Sequence, residues 1–168
     1  MKLGRFAIMC VSGLAVSLLC AGCLPSTPQP TATATATALS ATSEALTQAA
    51  WDALEKAPNA AVENARQCID LFEATATEQQ AKLTTAPPDG AVSVEQKKAI
   101  VANWALNDVA TSYWILGQAL EKLDRVDEAK EAYQGAERFP YGRTWDPKGW
   151  FWQPAKAASD RLEKLPQS

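Results

Sequence analysis

The densest recognition chemistry in the chain lies between Phe139 and Pro154, which reads Phe-Pro-Tyr-Gly-Arg-Thr-Trp-Asp-Pro-Lys-Gly-Trp-Phe-Trp-Gln-Pro. Six of these sixteen side chains are aromatic, while Pro140, Gly142, Pro147 and Gly149 argue against any regular element, so an irregular loop is expected. Its rings have two uses. Trp145, Trp150 and Trp152 can form a platform for the faces of sugars. Alternatively Trp145, Trp150, Phe151 and Trp152 can plug the open end of a small helical stack, where each ring buries a large apolar area. A plug predicts Trp150 and Phe151 buried and Trp152 less so.

Catalytic chemistry is poorly supplied. The chain has no histidine, the commonest acid/base and metal ligand. It has no nucleophile elbow, no phosphate-binding glycine loop and no metal-spaced cysteine set. Glycoside hydrolysis needs only two carboxylates in different environments. Asp108, inside an apolar helix, and Asp146, in the aromatic loop, are the candidates for such a pair. Asp127 and Glu128 read as solvated charges at a helix start. The expectation is a protein that is not an enzyme and uses no cofactor or metal.

A second binding candidate is a polar stripe. Asn103, Asn107, Thr111, Trp114, Gln118 and Lys122 recur at three- and four-residue steps, opposite Leu116, Leu120 and Leu123. It is either a solvent face or a binding surface. Trp114 favours binding, because an exposed indole is costly without a partner, although the aromatic loop could cover it.

These residues need helices to position them. Leu46, Ala50, Trp51 and Leu54 form one stripe of a first helix, from Ser43 as N-cap to about Ala57. Pro58-Asn59 turns the chain into a second helix, about Ala60 to Lys82, with Ala61, Ala65, Cys68, Ile69 and Phe72 inside. Pro87-Pro88-Asp89-Gly90 is a loop. Ser93-Val94-Glu95-Gln96 is a capping box that opens a third helix reaching about Leu123, roughly 45 Å long at 1.5 Å per residue. Val101, Ala105, Val109 and Trp104 belong to its broad apolar face. A fourth helix follows Asp124, and Pro154 begins a fifth that ends near Leu165, with Asp160 and Lys164 as an i,i+4 pair. The fold class is all-α, about five helices in antiparallel pairs over residues 43–168, with the aromatic loop at 139–154.

The stretch Tyr113 to Pro140 resembles a tetratricopeptide repeat, a 34-residue helix-turn-helix with small residues where its helices cross. Tyr113, Leu116 and Gly117 open it, Ala129, Tyr133 and Ala136 follow at the repeat's spacing, and a proline closes it. Leu120 stands where the repeat prefers Tyr, Asp124 replaces the turn glycine, and Pro140 falls one place early. Ala65, Ile69 and Phe72 echo the spacing 64 residues earlier. The resemblance implies a short helical array whose first helices line a concave groove. It implies a protein or peptide partner, met at Asn107, Thr111, Trp114, Gln118 and Lys122. Trp145 to Trp152 also resembles a segment that follows repeat helices in some bacterial envelope proteins, a few with glucan-related names.

The N-terminal region reads as targeting. Lys2 and Arg5, an apolar run from Phe6 to Leu19 and the small residues Ala21-Gly22 make residues 1–22 a signal peptide. The ending Cys20-Ala21-Gly22-Cys23 resembles a bacterial lipobox, with Cys20 where Leu is usual, and implies that Cys23 is lipidated. Leu24, rather than Asp, after that cysteine implies the outer membrane, facing the periplasm. Residues 23–42 then form a tether of Pro25, Pro28, Pro30 and Thr-Ala repeats, too poor in apolar surface to fold. Its nineteen residues from Leu24 would span roughly 25 Å as a flexible coil. Cys68 would remain the only free thiol and reads as a small buried apolar residue. Without Lys2 and Arg5 the chain keeps 14 basic against 19 acidic residues, a formal charge of −5, with no basic cluster to suggest nucleic acid. The sequence therefore predicts a lipid-anchored envelope interaction module with a protein partner, or alternatively a glycan-binding or glycan-processing accessory that uses the aromatic loop.

Overall fold

A computed structural model describes residues 42–166. The chain divides into two units, Met1–Ala32 and Thr33–Ser168, and every described residue belongs to the second. The signal peptide, Cys23 and the tether up to residue 41 lie outside the described residues.

The fold is all-α with one small hairpin: α1 Ser43–Ala53, α2 Pro58–Ala81, α3 Val94–Val101, α4 Trp104–Lys122, α5 Val126–Glu137, strands β1 Thr144–Asp146 and β2 Trp150–Trp152, and α6 Pro154–Leu162. Helices α1 and α2 pack as one pair and α4 and α5 as the next, α2 lies along α4 between the pairs, and α6 closes the array against α5. One core runs through Ala65, Ile69, Ile115, Leu116, Leu120 and Tyr133, and a second through Cys68, Leu106, Val109 and Phe139. Both sit on the stripes that the 3.6-residue period marks out.

Among the described residues six helices form rather than five, because the long third helix breaks. Asn103 has non-helical dihedrals of φ −93° and ψ 48°. Its side chain donates to Ala99 O at 3.1 Å, and Asn107 Nδ2 donates to Ile100 O at 2.8 Å, so two amides serve the open carbonyls of α3. From the other side Gln79 Oε1 accepts from Leu106 N at 2.9 Å, in the first turn of α4. Side-chain amides thus compete with the helix ladder and win. Val101 and Trp104 flank the break and are exposed, off the buried face expected for them.

Other local expectations shift by a residue or a partner. Thr42, not Ser43, is the N-cap of α1, accepting from Ala45 N at 3.1 Å. Ser43 turns inward and donates to the Asp108 carboxylate. That carboxyl is pushed up to about 6 by burial, with the Glu44 charge adding to the effect. Thr47 and Ser112 continue the buried polar cluster, 3.0 Å apart. Cys68 is fully buried beside them, and burial raises its thiol pKa. In α6 the ion pair is Lys156–Asp160 at 2.9 Å, not Asp160–Lys164.

Asp124 ends α4 at φ 56°, the left-handed conformation usually taken by glycine. Arg125 N donates to Leu120 O and Asp124 N to Glu121 O, the paired bonds of a Schellman cap. The tight return presses α4 on α5 through two glycine–tyrosine contacts. Gly117 of α4 lies against the Tyr133 ring, and Gly135 of α5 against the Tyr113 ring. Tyr133 is fully buried, and its hydroxyl donates to Glu121 Oε1 at 2.5 Å. Glu121 in turn accepts from Arg161 Nε at 2.8 Å, which ties α6 to the pair.

The aromatic segment does contain a regular element, contrary to expectation. Thr144 pairs with Trp152, Trp145 with Phe151 and Asp146 with Trp150 in antiparallel register. Pro147 and Gly149 fall in the turn, where they shorten the strands without forbidding them. Gly149 takes φ 105° there, and its N–H donates to Asp146 O at 2.9 Å. Strand alternation separates neighbours. Phe151 is buried, whereas Trp150, expected to be buried with it, is exposed, and Trp152 is half-buried.

Candidate functional site

Five of the chain's six tryptophans line one pocket. Trp51 comes from α1, Trp114 from α4, and Trp145, Trp150 and Trp152 from the hairpin. The pocket encloses about 510 Å³, within the range of small-ligand sites.

Ring contacts join the elements that form the walls. Trp114 packs on the buried Tyr133, centroids 5.3 Å apart, and meets Trp152 edge-on at 6.0 Å. Trp145 meets Phe151 edge-on at 4.9 Å, and Lys97 Nζ lies 3.5 Å from the Trp145 ring centroid. That ammonium sets the indole by a cation–π contact. Polar groups are few. Gln48 on α1 donates to Asp52 Oδ1 at 2.9 Å, and Asp146 Oδ1 accepts from Lys148 N at 2.8 Å.

The groove residues expected on α4 separate into two groups. Thr111 is buried, donates to Asn107 O at 2.7 Å, and meets the Thr144 hydroxyl at 2.6 Å. Asn107 Oδ1 accepts from Arg143 N at 2.9 Å. Both side chains therefore fasten the hairpin to α4 and do not face an open groove. Trp114, Gln118 and Lys122 do line open space. They border a second cavity of about 440 Å³ between α1, α4 and α6, which shares Trp114 and Ala157 with the tryptophan pocket. Four of its charges form two pairs, Lys122 with Glu55 at 2.9 Å and Arg161 with Glu121 at 2.5 Å. The loop platform and the far half of the helical groove thus adjoin, with Trp114 between them.

Two contributors escape the sequence reading. Trp51 sits at the edge of the α1 stripe, indistinguishable by period from a core residue, and only the hairpin's position makes it a wall. Arg143 is 5% exposed and donates to Pro140 O at 3.1 Å, Gly142 O at 2.8 Å and Pro87 O at 2.5 Å. It sews the proline loop to the base of the hairpin, and burial lowers its pKa. The loop also reaches the second strand directly, since Gly90 N donates to Phe151 O at 2.7 Å and Phe151 N to Gly90 O at 2.9 Å.

The two carboxylates considered for hydrolysis are not brought together. Asp146 faces the tryptophan pocket, and Asp108 lines a different cavity of about 290 Å³ with Phe72 and Trp104. Among the described residues no group of three or more acidic or thiol side chains is placed to share a metal ion. No described helix is long and apolar enough to cross a membrane. No protein-family model, curated protein or solved structure matches the chain.

Proposed function

We propose that the protein is a lipid-anchored recognition module of the bacterial cell envelope, which holds its partner in the tryptophan pocket and carries out no chemistry on it. One observation carries this reading: rings from three separate elements converge on a single open pocket, and Trp145 and Trp150 remain 40% and 39% exposed there. Folding alone gains by covering such rings, whereas partners are anchored by them. Asp146 is the only acid on the lining, and Asp108 is in another cavity, so the pocket has binding surface without a paired acid and base.

The concave side of α1, α4 and α6 is where a tetratricopeptide-like scaffold takes a protein segment, and Gln118 and Lys122 suit that reading. The glycan reading has a specific observation in its favour. The hairpin sits on Asn107 and Thr111, so its tryptophans, and not a continuous helical groove, border the open space on that side of Trp114.

The anchor is tested through Cys23. Acyl chains on that residue, more than one, give firm membrane attachment. The Cys23→Ser variant is expected to leave the membrane fraction or to accumulate uncleaved. A variant that fractionates and migrates like the parent contradicts lipid anchoring, and an inner-membrane location contradicts the outer-membrane assignment.

A further inference from the structure

Resting on the reading that the tryptophan pocket is the binding site, we infer that its ligand is a neutral, β-linked oligosaccharide built from gluco-configured pyranose units. The lining supplies the chemistry. No lysine or arginine lines the pocket, the Lys97 ammonium is taken up by the Trp145 ring, and Asp146 is the one carboxylate, so an anionic ligand such as a phosphate or a uronic acid chain finds no cation on the lining to pair with. The space of about 510 Å³ is far more than a methylated ammonium fills. A neutral ligand with apolar faces remains.

A pyranose whose hydroxyls are all equatorial fits that description. Its two faces carry only axial C–H groups, whose partial positive charge suits the negative face of an indole. An axial hydroxyl, as in manno or galacto units, puts a polar group on one face and spoils the stack. β-1,4-Linked units extend as a flat ribbon with C–H patches on both faces. Here the ribbon meets Trp114 from the helices and Trp150 from the hairpin, two walls of different origin. Its equatorial hydroxyls point outward at the ribbon edge, where Gln48 and Asp146 supply an amide and a carboxylate. The neighbouring cavity beyond Trp114 gives room for further units.

The test is a tryptophan-fluorescence titration of the full protein in a polyoxyethylene detergent, which carries neither sugar nor ammonium groups. The probes are a β-1,4-glucose hexamer, an α-linked mannose hexamer, a galacturonate hexamer, tetramethylammonium and a displayed library of random dodecapeptides. The glucose hexamer is expected to bind saturably, at least tenfold more tightly than the mannose and galacturonate hexamers. Trp150→Ala should weaken that binding at least tenfold with an unchanged melting midpoint, while Trp104→Ala, outside the pocket, leaves it intact. Binding of peptides or tetramethylammonium that depends on Trp150, with no response to the glucose hexamer, overturns the saccharide and leaves the pocket standing. Equal affinity for the glucose and galacturonate hexamers overturns the neutral, gluco-specific claim. No Trp150-dependent binding of any probe overturns both the saccharide and the pocket.

Discussion

Replacing Phe151 by alanine is expected to destabilise the protein by about 3–5 kcal/mol, the usual cost of emptying a buried phenylalanine site. Phe151 is 2% exposed, packs edge-on against Trp145, and its backbone bridges Gly90 of the proline loop. Its loss opens a cavity between hairpin and loop and removes the support of a pocket ring. Trp150→Ala, one residue away, exposes no core and should change stability by less than about 1 kcal/mol. Urea unfolding of the two variants reads the contrast. Equal losses would mean that the hairpin does not alternate as described and that Trp150 is also part of the plug. Plug and platform are therefore not alternatives for the whole segment, because Phe151 does the first task and its tryptophan neighbours are available for the second.

The second large effect falls on Gly117. A Cβ at this position would overlap three atoms of the Tyr133 ring, well inside van der Waals contact. The ring cannot swing clear, since it is fully buried and its hydroxyl is tied to Glu121 and through it to Arg161. Gly117→Leu is expected to cost about 1–3 kcal/mol or more by overpacking. Gly117→Ala should also destabilise, although alanine is the better helix former by about 1 kcal/mol. That sign is the informative part. A thermal melt with the alanine variant at or above the parent's midpoint would contradict the close contact between α4 and α5. Gly135 against Tyr113 obeys the same rule, so Gly135→Ala should fall in the same direction.

Helix identity was legible in the sequence because it rests on period and on caps. The stripes of α1, α2 and α5, the capping box at Ser93 and Pro154 at the first turn of α6 all stand where local chemistry puts them. The break at Asn103 was not legible. It depends on Gln79, a residue of another helix, completing what the two asparagines begin. The hairpin was not legible for a related reason. By residue type Pro147 and Gly149 break the whole segment, whereas they belong to its turn, and Gly90, far back in the chain, bridges Phe151 of the second strand.

The candidate site was legible in pieces. Trp114, Gln118 and Lys122 on one side and Trp145, Trp150 and Trp152 on the other stand out by residue type and spacing, and they line the two adjoining cavities. Their adjacency was not, because it follows from where Arg143, Asn107 and Thr111 fasten the hairpin. The same fastening takes up the Asn107 and Thr111 side chains. Trp51 joins through the packing of α1 beside α4 together with the position of the hairpin, neither of which a local pattern reports.

Oxidative footprinting of tryptophan in intact cells, read by mass spectrometry against the purified protein, tests the central claim most directly. Trp145, Trp150 and Trp104 are 40%, 39% and 46% exposed, so the purified protein should label at all three. Trp104 lies outside the pocket and serves as the control. If the pocket holds a partner in the envelope, Trp145 and Trp150 are protected in cells while Trp104 labels as in the purified protein. Equal labelling of all three rings in cells and in solution would contradict it.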